Sequence, residues 1–189
     1  KAAGKINKTR TKDFERYTIN TSTPTKPLHY KAENVHDFAW AADPEYKHLT
    51  RTLPDGKTIH VLYNNISGSA EEDARWTAVA DAAVTVYPFI TKTFGEYPYK
   101  QYSFIHGGDG GMEYPMSTML VSSSLGTAFH EWMHSWYQMM LGTNEALYAW
   151  MDEGFTDWAT DKVQAFYRDN VTRKRLANDP ATLSRVDSA

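Results

Sequence analysis

Two histidines with a glutamate between them are the clearest candidates for chemistry in this 189-residue chain. In HEWMH, residues 130–134, His130 and His134 stand at positions i and i+4. On a helix both imidazoles therefore leave the same face and can bind one metal ion. Glu131 points about 100° away from His130, too far round to be a third ligand but near enough to reach a water molecule on the metal. The motif predicts a metal site with a general base beside it.

A third metal ligand is found further along the chain. A catalytic zinc ion needs three protein ligands and one open position. Glu153 supplies the third, with 18 residues between it and His134. Gly142 and the polar loop TNEA at 143–146 let the chain reverse, so that a second helix lies beside the first with Glu153 in its opening turn. The alternative, an amphipathic helix that carries polar residues by coincidence, does not account for the HExxH spacing and the later glutamate together.

Several residues around the motif have simpler interpretations. Asp157, four residues after Glu153 on the same helix face, could accept the outer N–H of a ligand histidine, or it could be a solvated acid. Asp152 is predicted to be a favourable charge in the first turn of the second helix. The large apolar residues of the first helix are predicted to pack in the core: Trp132, Met133, Trp136, Met139 and Met140. None of the other histidines is assigned as a ligand: His29, His36, His48, His60 and His106.

Composition narrows the function classes. A chain with 41% hydrophobic and 14% aromatic residues can bury a core in one domain or two. A net charge of −3 does not favour a nucleic-acid partner. Without cysteine, any metal site must use His, Asp and Glu. No apolar run approaches the roughly 20 residues of a transmembrane segment, and Lys1 opens no signal peptide.

The order of the predicted elements, strands first and then helices, favours an α+β fold with a mixed sheet packed on helices. One helix should begin after Ser69 and end at Gly95, and a second should begin at Ser124 or Thr127 and end at Leu141. A third should run from Tyr148 or Trp150 to Arg168. The strands are expected at about 30–41, 58–64, 102–105 and 117–121, with a turn at 53–56.

Three motifs together resemble a known family. HEWMH, the gap to Glu153 in AWMDEGF, and GGMEYP at 110–115 are similar to the zinc aminopeptidases of the aminopeptidase N and leukotriene hydrolase type, within the gluzincin group. AENVHDFAWAADP, residues 32–44, is similar to a strand of that family's sheet. The resemblance covers about 32–168 and implies a thermolysin-like zinc metallopeptidase catalytic domain, with the metal site on two adjacent helices.

This resemblance also implies a division of the chain and roles for single residues. Residues 1–25 would be an extended segment from the end of a preceding β domain, 26–170 the catalytic domain, and 171–189 a polar tail that starts a further C-terminal part. One Zn²⁺ would be bound by His130, His134 and Glu153, and Glu131 would activate the water that attacks the first peptide bond. Glu113 would hold the free α-amino group of a peptide substrate, whose backbone would lie along Gly110, Gly111 and Met112.

The chain departs from the family pattern in two respects. Tyr114 follows Glu113 where the family has asparagine, which affects the amine site and the preferred first residue. The family also uses a downstream tyrosine to stabilise the oxyanion, and no tyrosine follows Tyr167 here. We therefore expect a piece of a longer chain that binds zinc but cleaves poorly, since losing such a donor costs about 10²–10³ in rate.

Two other functions remain open from the sequence. A gluzincin endopeptidase would use the same metal site but would have no need of GGMEYP. A catalytically silent peptide-binding module would keep the fold but would have no need of Glu131. The family resemblance alone suggests a secreted, periplasmic or cell-envelope location.

Overall fold

The computed structural model describes residues 6–10, 15–19, 27–108 and 110–174, with the first two ranges described by their backbone. The chain forms two compact units, Lys1–Asn34 and Val35–Ala189. In the first unit, β1 (Ile6–Arg10) and β2 (Glu15–Ile19) pair in antiparallel orientation. Most of the tail predicted at 171–189 lies outside the described residues, which end at 174.

The second unit contains a five-stranded mixed sheet. Its order is β3-β4-β5-β7-β6; β4 pairs in parallel with β5, and β5 with β7, while the two outer pairs are antiparallel. The predicted α+β class with a mixed sheet and helices is confirmed. The strands are β3 (Lys47–Thr52), β4 (Thr58–Tyr63), β5 (Gln101–His106), β6 (Gly111–Tyr114) and β7 (Ser117–Leu120).

A long helix connects β4 to β5. Helix α1 (Ala70–Phe94) begins after Ser69, whose side chain accepts a hydrogen bond from the Glu71 N–H at 3.2 Å, and ends at Gly95 with φ = +101°. Both ends agree with the prediction. The apolar positions recur at helical spacing and bury one face: Trp76, Val79, Ala80, Ala82, Ala83, Val86, Tyr87 and Ile90.

Three further helices follow the sheet. They are α2 (Leu125–Met133), α3 (Gln138–Leu141) and α4 (Phe155–Tyr167), with a 3₁₀ turn at His134–Trp136 and π-helical turns at Trp150–Gly154 and Arg168–Thr172. Helix α2 packs against α4, β6 and β7, and α4 also contacts α1. The two helical segments that carry HEWMH and Glu153 are therefore neighbours. No helix in the described part of the chain combines the length and apolar character of a bilayer span.

The predicted uninterrupted helix from Ser124 or Thr127 to Leu141 was wrong in its second half. The chain tightens at His134–Trp136 and leaves helical geometry at Tyr137, with φ = −113° and ψ = −88°. Tertiary contacts explain the break: the Trp136 indole N–H donates to the Gly95 carbonyl at 2.8 Å, and the Tyr137 ring stacks on Phe155.

The strand predicted at 30–41 was also wrong, and so was the interpretation of 32–44 as a strand of the sheet. Residues 27–46 contain no strand. Side-chain carboxylates of Asp37 and Asp43 accept backbone N–H groups one and two residues further on, in competition with strand pairing. The strand before the turn at 53–56 is β3, which pairs with β4. No strand was predicted at β6, because this strand begins at Gly111 inside a glycine-rich stretch.

Candidate metal centre

Helix α2, the 3₁₀ turn after it and the π-helical turn before α4 bring His130, His134 and Glu153 together. Their facing atoms form a triangle. The two histidine Nε2 atoms are 3.1 Å apart, and Glu153 Oε2 lies 3.1 Å from the first and 3.7 Å from the second. Ligand atoms bound at 2.0–2.1 Å around a tetrahedral ion are about 3.3 Å apart. The three residues therefore form a group that could hold a metal ion.

Each of these two histidines has a carboxylate at its outer nitrogen. Asp152 Oδ1 lies 2.6 Å from His134 Nδ1, and both side chains are buried. Asp157 Oδ1 lies 3.0 Å from His130 Nδ1, but 74% of the Asp157 side chain is exposed. An ionised carboxylate can only accept, so each contact favours the Nδ1–H tautomer and leaves the Nε2 lone pair for a metal.

The contact of Asp152 with His134 was not predicted from the sequence. Its position beside Glu153 suggested only a favourable charge at a helix start, whereas the π-helical turn directs its side chain to His134. Burial raises the pKa of the Asp152 carboxyl, and the contact with His134 acts in the opposite direction. The available signal was weak: two adjacent acids in an otherwise apolar segment.

The carboxylate of Glu131 is buried, and one of its two oxygens makes no hydrogen bond. The residue is 6% exposed, and its Oε2 atom has no hydrogen-bond partner. Burial raises the pKa of Glu131 to about 7; His134 lowers it, while Glu113 and other nearby acids raise it further. A carboxylate with a pKa near neutrality and an unused oxygen can take up and release a proton at neutral pH.

Strand β6 places Glu113 close to Glu131 and His134. Facing atoms of Glu113, Glu131 and His134 lie within 4.8 Å of one another. Burial raises the pKa of Glu113. At Gly111 a Cβ atom would stand 2.2 Å from Glu131 Oε1, so the strand backbone rests against the candidate base. Gly110 immediately precedes the strand, and Met112 is partly exposed.

Glu113, Glu131 and His134 are themselves a second group of possible ligands, sharing one histidine with the first. The first group suits a metal better. It offers two imidazole nitrogens, each with a carboxylate at its outer nitrogen, whereas the second offers one imidazole and two carboxyls. The first group is therefore the better candidate for a metal site, with Glu131 and Glu113 beside it.

Comparison with known proteins adds no family assignment. No family model matches the chain, and no curated protein matches it either. The resemblance to zinc aminopeptidases therefore stays a prediction from the motif residues.

Proposed function

We propose that this chain is the catalytic domain of a zinc-dependent aminopeptidase with a thermolysin-like architecture. One observation carries the proposal. The facing atoms of His130, His134 and Glu153 converge, while the buried Glu131 and the half-buried Glu113 lie beside them. Two metal-binding histidines alone would fit many proteins, but a base and a second carboxylate at the same place are what hydrolysis of an N-terminal peptide bond requires.

Zinc is the metal that suits these donors best. Two imidazole nitrogens and one carboxylate oxygen are a donor set of catalytic zinc sites, and the chain has no cysteine. When bound, Zn²⁺ would supply Lewis-acid activation of the attacking water and of the peptide carbonyl.

Glu131 is the proposed general base. Its unpartnered Oε2 can accept the proton that the attacking water loses, and the same carboxyl can then deliver that proton to the leaving amine. Burial keeps bulk water away from this oxygen, so the proton transfer is directed to a substrate at the site.

Glu113 and β6 are the proposed binding site for the substrate's N-terminus. A half-buried carboxylate can pair with an α-ammonium group, and a peptide without that charge would leave the carboxylate unpaired. Strand β6 is the last strand in the sheet order, so among the described residues it has a strand neighbour on one side only. A peptide backbone could add along its other side as a further strand.

The first test joins metal content to activity. Elemental analysis should find at least one zinc per chain, and a chelator should abolish hydrolysis of aminoacyl anilides. Glu131→Gln should retain zinc but lower turnover by about 10²–10⁴, the usual contribution of a general base. Glu96→Gln, the same change at an exposed position, is the control and should leave zinc content and turnover unchanged.

N-terminal acetylation of the substrate separates the alternatives. Cleavage of free peptides that stops on acetylation supports the aminopeptidase. Unchanged cleavage of acetylated peptides would indicate a gluzincin endopeptidase and would leave Glu113 without its proposed role. Peptide binding without any cleavage would indicate a catalytically silent module.

A further inference from the structure

A second pair of histidines faces one another on the sheet, outside the metal centre. His48 lies on β3 and His60 on β4. Opposite His48 is Leu62, and opposite His60 is Thr50, so the histidines are diagonal neighbours. His48 Nε2 and His60 Nδ1 are 2.9 Å apart, and the ring centroids are separated by 5.1 Å.

The separation of these nitrogens fits two ligands of one metal ion. Bonds of 2.0–2.1 Å place neighbouring ligand atoms about 2.8 Å apart around a square-planar ion and about 3.3 Å apart around a tetrahedral ion. The 2.9 Å between His48 and His60 falls in that range.

The pair is also accessible. Ile59 and Val61 are buried in the core, so the alternation of β4 places His60 on the opposite face, where it is half-buried and His48 is exposed. Within the described part of the chain, β3 is the last strand on its side of the sheet. Burial, followed by the proximity of His48, lowers the pKa of His60, so the ring stays neutral and able to bind a metal at neutral pH.

We propose that His48 and His60 form a second, surface metal site for a borderline divalent cation of the Cu²⁺, Ni²⁺ and Zn²⁺ class. Without metal, one ring donates its N–H to the other. If His48 carries its proton on Nδ1 and His60 on Nε2, both facing lone pairs become free, and a rotation of each ring then directs them at one ion. No third His, Cys, Asp or Glu joins the pair among the described residues, so water would fill the remaining positions. Imidazole nitrogens and open positions favour Cu²⁺ within this class.

Equilibrium dialysis of the full chain against Cu²⁺ tests the proposal independently of the proposed function. The unaltered chain should bind two equivalents, one at each histidine pair. The double variant His48→Gln/His60→Gln should lose one equivalent, together with its nitrogen hyperfine signal in electron paramagnetic resonance. His130→Gln/His134→Gln should lose the other, and the combination of all four changes should lose both. His29→Gln, at an exposed histidine, is the matched control and should lose none.

Copper binding by His48→Gln/His60→Gln that equals that of the unaltered chain would overturn the proposal. A second measurement needs no variant: Cu²⁺ should broaden the imidazole resonances of His48 and His60 in the unaltered chain at the lowest added metal. Broadening that spares both rings would refute the site even if one of the variants failed to fold.

Discussion

At the scale of single residues, the two carboxylates beside the candidate ligand histidines differ in their surroundings. Asp152 and His134 are both buried, so their hydrogen bond acts in a medium of low dielectric constant. Asp157 is mostly exposed, so solvent screens its contact with His130. The same chemical arrangement should therefore contribute unequally to metal binding.

We predict that Asp152→Ala weakens zinc binding by about 10–100-fold, because His134 loses the partner that fixes its tautomer and orientation. Asp157→Ala should weaken it by about five-fold or less, the equivalent of an exposed ion pair of 0.2–1 kcal/mol. Competition with a chromophoric chelator measures both affinities. Asp161→Ala, at an exposed acid on α4, is the control. Equal losses from the Asp152 and Asp157 variants would contradict the argument from burial.

At the scale of elements, α2 directs one face to the candidate site and packs the other face in the core. The candidate site contains His130 and Glu131 of α2 together with His134 of the 3₁₀ turn that follows. Trp132 of α2 is fully buried among the rings of Tyr87, Tyr102, Phe104 and Trp136. The Tyr102 hydroxyl also donates to the Glu131 carbonyl at 3.2 Å, which joins β5 to the backbone of α2. The packing of one face therefore positions the side chains of the other.

Trp132→Ala should lower the free energy of unfolding by about 3–5 kcal/mol, because it removes a buried aromatic ring and leaves a cavity. Trp132→Phe should cost less, since it retains a ring and removes an indole N–H that has no hydrogen-bond partner. Urea unfolding followed by circular dichroism gives these values. Trp40→Ala, at an exposed tryptophan, should change the free energy of unfolding by no more than about 0.5 kcal/mol. A similar cost at both tryptophans would show that α2 is not anchored through Trp132.

At the scale of the whole molecule, Asp73 joins several elements of the second unit. Its carboxylate at the start of α1 accepts hydrogen bonds from Lys47 on β3, Tyr63 on β4 and Asn65 in the following loop, at 2.7–2.9 Å. Lys47 first, then Asn65 and Tyr63, lower the pKa of Asp73 to about 2. The residue therefore links acidity to the stability of the sheet and helix together.

Because the pKa of Asp73 is lower in the folded than in the unfolded chain, its contribution is complete above the unfolded value near 4 and is lost as the pH falls towards 2. Asp73→Asn should reduce stability at neutral pH and flatten its decline between pH 4 and 2. Denaturation midpoints across this range measure the effect, with Asp161→Asn as the control. A decline as steep in Asp73→Asn as in the unaltered chain would contradict it.

Local spacing determined the parts of this protein that the sequence predicted. Helical periodicity places His130 and His134 on one face, and capping residues such as Ser69 and Gly95 set the ends of α1. The turn at 53–56 and the strands at 58–63 and 101–106 likewise follow from nearby residues. These features depend on a few neighbouring positions, so a single sequence contains the information.

Only the tertiary structure decided which distant elements meet. Pairing with β7 made a strand of the glycine-rich β6 and carried Glu113 to Glu131, and a π-helical turn directed Asp152 to His134. Pairing of β3 with β4 set His48 against His60, although twelve positions separate them. Such contacts depend on which apolar faces pack together and on the twist of the paired strands, and that competition involves the whole chain, so no local pattern reveals its outcome.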